Sequence, residues 1–407
     1  MPTTSYLSPF QKRLALVIGL ATIGVGIWLQ FQLWQLDALG VSIKGERLPY
    51  WDFTNLWSGS RMVLEGHARL LFDPDAYRAQ IDHYFNVILP DQEWSYPPGI
   101  LLIGVPLALL PIWAAFLVWS LGTVALWHLA IRPFNLPAIA HLFVLLSPAI
   151  WSNQMFGQNG ALTAALLIAG LYHAPARPIL AGFLIGALTI KPHLGILIPF
   201  CLLASRNWTA FASAAATALG MAGLTGMLFG FDVWSGFLTE TRALMTLIME
   251  APYPQAYHTH MATFFVLLRS LGAGLELAYA MQACVTVLAI VAAAMLWLPQ
   301  NAMDHRSRVA LTGVLVIIAT PYGYTHDTAP LYLAIVWFLL RDPDPRISVY
   351  AAAWLFALLF PAAHGVGIAI GVLGPLVLAV FLYSRFGPLR ADTGEAYNRL
   401  SATSSTK

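Results

Sequence analysis

The chain of 407 residues is 58% hydrophobic and only 10% charged, whereas soluble globular domains carry about 25% charged residues. This composition excludes an ordinary soluble domain and predicts an all-α integral membrane protein, a polytopic helix bundle of about 10 to 12 transmembrane helices with roughly 20 residues each. The net charge of +2 is the difference between 21 basic and 19 acidic residues. The basic residues are scattered among loops, so no basic face forms and nucleic acid is excluded as a partner.

The basic residues also predict how the helices are oriented. Lys12 and Arg13 precede the first apolar run, Leu14 to Leu36, which is too long for a signal peptide and has no cleavage site after it. Because positive residues favour the cytoplasmic side, we expect a cytoplasmic N-terminus and an outer segment at 37–98. Further spans are predicted near 112–131, 137–151, 161–173, 179–190, 193–204, 209–230, 274–298, 309–321, 328–340, 347–362 and 365–384.

This topology places every short basic turn in the cytoplasm and gathers the unusual polar residues on the outer side. The chain then forms one polytopic transmembrane domain, 1–392, with outer segments at 37–98 and 231–260. The polar residues at 393–407 predict a disordered cytoplasmic tail.

The first outer segment opens with a carboxylate among aromatic side chains, in the run Pro49-Tyr50-Trp51-Asp52-Phe53. Asp is a favoured N-cap, so Asp52 could simply cap a helix that starts at Phe53. A carboxylate held between lipid and water could equally serve as a reactive acid. The local sequence leaves both interpretations open, and they are compatible.

Amphipathic helices are predicted in both outer segments. The first segment predicts one helix from Phe53 to the stop at Gly66 and a second from Pro74 to Ile88, both lying on the membrane surface. In the second segment Asp232 is expected to cap an amphipathic helix that ends before Ala251. The alternative for all of them is packing against the top of the bundle.

Two short motifs between the spans could line a substrate site. The apolar piece between Tyr96 and Pro111 is too short to cross the membrane, so it predicts a broken or re-entrant helix that could line a groove for an apolar tail. The run Gly157-Gln158-Asn159-Gly160 puts two amides at a helix N-terminus, which suits sugar hydroxyls or a phosphate. Its alternative is an ordinary turn with a helix cap.

An ionisable group at membrane depth is expensive and usually has a partner or a function. In Lys191-Pro192-His193 the proline breaks the helix, and Lys191 is expected either to bind a phosphate or to form a structural ion pair with Asp327 or Asp52. His326 next to Asp327 could act as a base, bind a phosphate or hold a metal. His258 has the same ambiguity, and no carboxylate or cysteine cluster completes a metal site, so none is predicted.

Several of these runs occur in an order and spacing that resemble glycosyltransferase family 87, whose GT-C-type members include polyprenyl-phosphate-mannose-dependent alpha-mannosyltransferases. One departure is His193, where the family often has glutamine. The resemblance rests on Asp52-Phe53 with Ser58 to Gly66, Leu71 to Tyr77, Tyr96-Pro97-Pro98 with Pro106 to Pro111, Gly157 to Gly160, and Lys191-Pro192-His193.

The resemblance implies a GT-C-like fold and transfer of a hexose, with mannose first, from a polyprenyl-phosphate sugar donor to a glycolipid or glycan acceptor. The site would face the periplasm from a bacterial plasma membrane, and the lipid bilayer would be a partner. No cofactor would be needed, and transfer would invert the configuration at the anomeric carbon of the sugar. It maps the family's catalytic aspartate to Asp52. The expected donor-binding residues are Lys191, His193, Gln158, Asn159, Tyr96, His326 and His258.

Two other functions fit part of the sequence. A transporter or flippase of lipid-linked sugars would also need a cation at mid-membrane and broken helices, but such proteins usually show two similar halves. An O-antigen-ligase-like enzyme would be expected to depend on outer arginines, whereas the most distinctive residue of this sequence is the aspartate Asp52.

Overall fold

The computed structural model describes residues 7–89, 92–365 and 367–387, and within these the side chains at 259 and 357–364 are not described. The described chain is helical and contains no β-strand, so the predicted all-α polytopic membrane fold is confirmed. The tail predicted to be disordered, 393–407, lies outside the described residues.

Four helices of the described chain are long and apolar enough to cross a membrane, and shorter apolar helices accompany them. The long ones are α1 Pro9–Leu33, α5 Ile112–Ile131, α11 Trp208–Phe229 and α15 Leu275–Trp297. The helices between α1 and α11 are α2 Phe53–Leu64, α3 Pro74–Phe85, α4 Leu101–Leu107, α6 Ala138–Leu145, α7 Pro148–Phe156, α8 Gly160–His173, α9 Pro178–Ala187 and α10 Ile198–Ala204. The remaining helices are α12 Asp232–Gly236, α13 Arg242–Glu250, α14 Phe264–Ser270, α16 His305–Ala319, α17 Ala329–Leu339, α18 Ile347–Gly365 and α19 Leu373–Phe386.

The helices break at or next to prolines. The span predicted at 137–151 is two helices, α6 and α7, because Pro148 follows the extended Ser147 and starts a new helix. The span predicted at 179–190 ends in a 3-10 turn, Leu188–Ile190, and a second 3-10 turn, Pro192–Gly195, leads into α10. These breaks leave Lys191 between two short helical pieces.

The helices run between two ends of the bundle that differ in chemistry. At one end α5 contacts the turn before α8, since Trp119 Nε1 donates to the carbonyl oxygens of Gly157 and Gln158 at 3.2 Å. At the other end the Phe134 ring lies 6.4 Å from the Tyr172 ring and 5.0 Å from the Trp337 ring. We call these the polar end and the basic end.

The turns at the basic end carry the arginines that follow or precede each helix. Arg132 follows α5, and Asn207 Nδ2 donates to the Ala174 carbonyl at 2.6 Å, which brings the turns with Arg177 and Arg206 together. The Arg341 side chain lies over the Trp337 ring at this same end. These four arginines therefore lie at the end of the bundle away from the turn at Gln158.

The helices of the first outer segment form as predicted, but their apolar faces point into the protein. Phe53 and Leu56 on α2 and Tyr77 and Ile81 on α3 are buried in one cluster with residues of α4 and α5. The prediction that these faces lie on the membrane surface is wrong, and the alternative of packing against the bundle holds. Asp73 caps α3 by accepting from the Ala76 N–H at 3.1 Å.

One helix cap predicted in the second outer segment is wrong. Asp232 does not cap α12, because it is the first residue of that helix and makes no side-chain cap bond. Its carboxylate lies 3.2 Å from the Arg69 guanidinium in an exposed ion pair between the two outer segments. A π-helical turn, Phe237–Thr241, joins α12 to α13.

Candidate active site

Asp52 lies where α2 begins and docks onto the end of α7. Its backbone N–H donates to the Phe156 carbonyl at 3.0 Å, and its side chain makes no cap bond to α2. Trp51, just before it, has φ +48°, which is uncommon for a bulky residue and is found where surrounding structure enforces it. The interpretation of Asp52 as a helix cap is therefore wrong, and its carboxylate points elsewhere.

The carboxylate instead receives a hydrogen bond from the amide turn before α8. Gln158 Nε2 donates to Asp52 Oδ2 at 2.7 Å. Gly157 makes this turn possible because it ends α7 with φ +61°, where a Cβ would also meet Phe53 and the Tyr50 carbonyl. The two motifs are 106 residues apart in sequence, and the fold brings them into direct contact.

Asp52 is partly exposed, yet protein groups surround it. Loss of water around the carboxyl raises the pKa of Asp52 from 3.8 to about 6. The Gln158 hydrogen bond lowers this pKa, as do the positive charges of Arg47 and Lys191, while the negative charge of Glu93 raises it. A carboxylate with such a pKa is a stronger proton acceptor than an ordinary one and stays ionised at neutral pH.

Lys191 forms a buried ion pair with Asp327. Its Nζ lies 2.6 Å from Asp327 Oδ1, and the two residues are 9% and 4% exposed. Asp327 Oδ2 also accepts from the Tyr324 N–H at 3.1 Å, which fixes the carboxylate on the 3-10 turn Thr325–Thr328. Of the two partners considered for Lys191, the structure assigns Asp327.

His326 completes this group with a ring nitrogen that lacks a partner. Lys191 Nζ lies 3.4 Å from His326 Nε2, and an ammonium can only donate, so Nε2 accepts and Nδ1 carries the hydrogen. His326 Nδ1 is buried without a hydrogen-bond partner among the described residues. A buried unpaired donor costs about 1–3 kcal/mol, which makes Nδ1 a place where an anionic or hydroxyl oxygen would be stabilised.

Tyrosine rings pack against the histidine side chains of the site. The Tyr324 ring stacks on His326, with centroids 5.4 Å apart and planes 7° apart, and the Tyr324 hydroxyl donates to the Tyr322 hydroxyl at 3.2 Å. The His193 ring meets Tyr322 edge-on at 5.5 Å. His193 Nε2 is a second buried nitrogen without a partner in the described chain.

The other predicted site residues lie around the same end. Asn159 is 3% exposed, and its Oδ1 has no partner among the described residues. Tyr96 lies within electrostatic range of Asp52 and packs against Trp94 with ring centroids 5.2 Å apart. His258 has a structural contact, since its Nδ1 accepts from the Gln255 N–H at 2.9 Å.

The segment that holds His258 lies beside the tyrosines. The Ala262 N–H donates to the Gly323 carbonyl at 2.8 Å, and the His258 ring stacks on Tyr253 with centroids 5.2 Å apart. Among the described residues, no group of three or more His, Cys, Asp or Glu side chains is placed to hold a metal ion.

Sequence reasoning missed the residues that hold the site in shape. Trp119 fixes the Gln158 turn through its indole N–H, and Trp51 orients Asp52 through its unusual φ. Inside an apolar run a tryptophan predicts only burial, so Trp119 gave no signal. Gly160 is also structural, because a Cβ there would meet the His326 carbonyl.

A comparison with protein families gives a match that spans more than half of the chain. The family model described as glycosyltransferase family 87 matches residues 94–321. Neither the curated proteins nor the solved structures give a match.

Proposed function

Because the chain belongs to glycosyltransferase family 87 and is a membrane glycosyltransferase, we propose that it transfers a hexose, with mannose first, from a polyprenyl-phosphate donor. The acceptor is a hydroxyl of a glycolipid or glycan. The bilayer holds the lipid part of the donor, and the reaction takes place on the extracytoplasmic face of a bacterial plasma membrane. One observation carries this proposal. The same end of the bundle holds both the Asp52 carboxylate, whose proton affinity is raised, and the buried group of Lys191 and His326.

In this proposal Asp52 is the general base of an inverting displacement. The acceptor oxygen forms a bond to the anomeric carbon while the bond from that carbon to the donor phosphate oxygen breaks. The hydroxyl proton goes to Asp52, and the electron pair leaves with polyprenyl phosphate. Gln158 keeps the carboxylate aimed by its 2.7 Å hydrogen bond, so the base is in position before the acceptor arrives.

Lys191 and His326 are proposed to hold the departing phosphate. An ammonium has three N–H donors, and Asp327 and His326 take two of them, so one remains for a phosphate oxygen. The buried His326 Nδ1–H and the charge of Lys191 would stabilise the negative charge that develops on the leaving phosphate. His193 and Asn159 have polar atoms at the same end with no partner in the described part of the chain, and they are proposed to contact the sugar phosphate.

The apolar tail of the donor needs a path from the site to the lipid. The 3-10 turn Pro98–Ile100 starts two residues after Tyr96 and leads directly into the short helix α4. Leu109, which follows α4, is 67% exposed. We propose that the prenyl chain lies along this piece, with Tyr96 at the junction between the phosphate and the tail.

A comparison of labelled sugar donors tests the proposed function. Purified full-length protein in lipid vesicles is incubated with a glycolipid extract and radiolabelled mannosyl, arabinosyl or glucosyl polyprenyl phosphate. We expect the label to move from mannosyl polyprenyl phosphate to a glycolipid. An equal amount of polyprenyl phosphate should be released, and only when the protein is present. Label transfer from a nucleotide sugar but from none of the lipid donors would overturn the lipid-phosphate proposal. Movement of intact donor across the vesicle membrane without release of polyprenyl phosphate would instead favour a flippase.

A further inference from the structure

A groove at the basic end of the bundle has no part in the proposed reaction. It is an open cavity of about 450 Å³ between the end of α5 and the start of α6. Trp119, which touches the Gln158 turn, precedes Arg132 by thirteen residues on the same run of helix, so the groove lies about 20 Å along the axis from the candidate active site. The lining residues are His128, Arg132, Asn135, Leu136, Ala138, His141, Leu142 and Leu145.

The two histidines in this groove form a bonded pair. His128 Nδ1 lies 2.8 Å from His141 Nε2, with ring centroids 4.9 Å apart. One ring must donate the bridging hydrogen. In a neutral pair the accepting ring then carries its hydrogen on the outer nitrogen, so the pair always presents one N–H away from the bridge.

Arg132 adds a positive charge that the described protein does not neutralise. Its side chain is exposed and makes no hydrogen bond or ion pair among the described residues. Of the described residues that line the groove none is a carboxylate, while Leu136, Leu142 and Leu145 give it an apolar floor. A cation and an N–H donor at one side of an apolar groove complement a molecule with a phosphate at one end and a hydrocarbon chain at the other.

We propose that this groove binds an anionic phospholipid, with its phosphate on Arg132 and the histidine pair and an acyl chain along Leu142 and Leu145. Arg132 lies at the end of a membrane-spanning helix, which is the depth at which lipid headgroups lie. The guanidinium fork binds two phosphate oxygens, and the outward N–H of the pair binds a third. The bound lipid would fix the α5–α6 turn to one leaflet, far from the sugar-transfer site.

Native mass spectrometry of the delipidated full-length protein tests this proposal. The protein is titrated with phosphatidylglycerol, with zwitterionic phosphatidylcholine and with inorganic phosphate. We expect phosphatidylglycerol to bind at least about tenfold more tightly than phosphatidylcholine. Arg132→Gln should weaken phosphatidylglycerol binding at least about tenfold, because it removes the two charge-assisted hydrogen bonds of the guanidinium fork. Arg132 is exposed, so this variant keeps the fold.

Two matched variants make the result specific. Arg177→Gln removes another exposed arginine at the basic end but outside the groove, and it should leave lipid affinity unchanged. Leu142→Gln should weaken the binding of phosphatidylglycerol without changing any binding of inorganic phosphate. Equal lipid loss in Arg132→Gln and Arg177→Gln would overturn the proposal, since it would show a general charge effect. Inorganic phosphate that displaces the lipid, together with no effect of Leu142→Gln, would also overturn it and leave a free-phosphate site.

Discussion

The buried pair of Lys191 and Asp327 offers a test that separates a structural role from a phosphate-binding role. Lys191→Met removes the ammonium, keeps most of the side-chain volume and leaves the Asp327 carboxylate charged at 4% exposure. Breaking a buried ion pair from one side typically costs about 3–5 kcal/mol, because the remaining charge has lost its partner. We therefore expect Lys191→Met to be less stable in detergent and inactive.

The double variant Lys191→Met/Asp327→Asn removes both charges. The amide oxygen that replaces the carboxylate at position 327 can still accept from the Tyr324 N–H, so the turn keeps its internal bond. Replacing a buried pair by neutral groups is often close to neutral for stability, so at least half of the lost stability should return.

Turnover should not return with it, because the phosphate still lacks its cation. Thermal unfolding in detergent and sugar transfer are measured on the same preparations, with Asp327→Asn alone as the control that keeps the Lys191 charge. Recovery of both stability and turnover in the double variant would refute the phosphate role and leave an ion pair only.

Three further predictions rest on the same geometry. Burial raises the pKa of Asp52 to about 6 in the ligand-free protein, and only the carboxylate accepts a proton, so kcat/KM should rise with pH through about 6 and level off above about 7; a kcat/KM independent of pH from about 5 to 7 would argue against Asp52 as the base. Gly160→Ala places a methyl group against the His326 carbonyl, and since backbone cannot give way cheaply, donor KM should rise several-fold. For topology, an impermeant thiol reagent added from outside should label Asp75→Cys and spare Arg177→Cys in a cysteine-free background.

The glycine and labelling predictions have matched controls. Gly122→Ala adds the same methyl group within α5 where nothing lies within 4 Å, so its donor KM should stay at the wild-type value. An equal KM change in both glycine variants would remove the argument from Gly160. For the labelling test, both cysteine variants must react after detergent is added, and labelling of Arg177→Cys from outside in intact cells would invert the topology.

The fold could be predicted from sequence to within a few residues at most helices, because apolar runs bounded by Pro, Gly and basic residues encode helix length directly. Pro192 marks a break as predicted, and Asp73-Pro74 starts α3 as expected. The break at Pro148, inside the single span predicted at 137–151, was not predicted. Burial of the outer helices was harder, since an apolar face such as that of α3 fits lipid and protein equally well in sequence.

The sequence could propose candidate site residues but not which of them contact each other in the fold. Lys191 had two candidate partners. Which carboxylate reaches it depends on how α8 packs against both α9 and the turn at Asp327, and no local sequence pattern contains that information. Asp52 had the sequence of a cap, yet the positive φ of Trp51 turns it toward Gln158. Such long-range contacts arise only from tertiary packing.

The measurement that tests the central proposal most directly is turnover together with donor binding on one preparation of Asp52→Asn. The asparagine oxygen can still accept from Gln158 Nε2, so the local hydrogen bond survives while the proton acceptor is lost. We expect wild-type unfolding temperature and donor affinity within a few-fold, with turnover lower by about 10²–10⁴-fold, the range typical of losing general acid–base catalysis. Turnover at the wild-type level in this variant would contradict the assignment of Asp52 as the catalytic base.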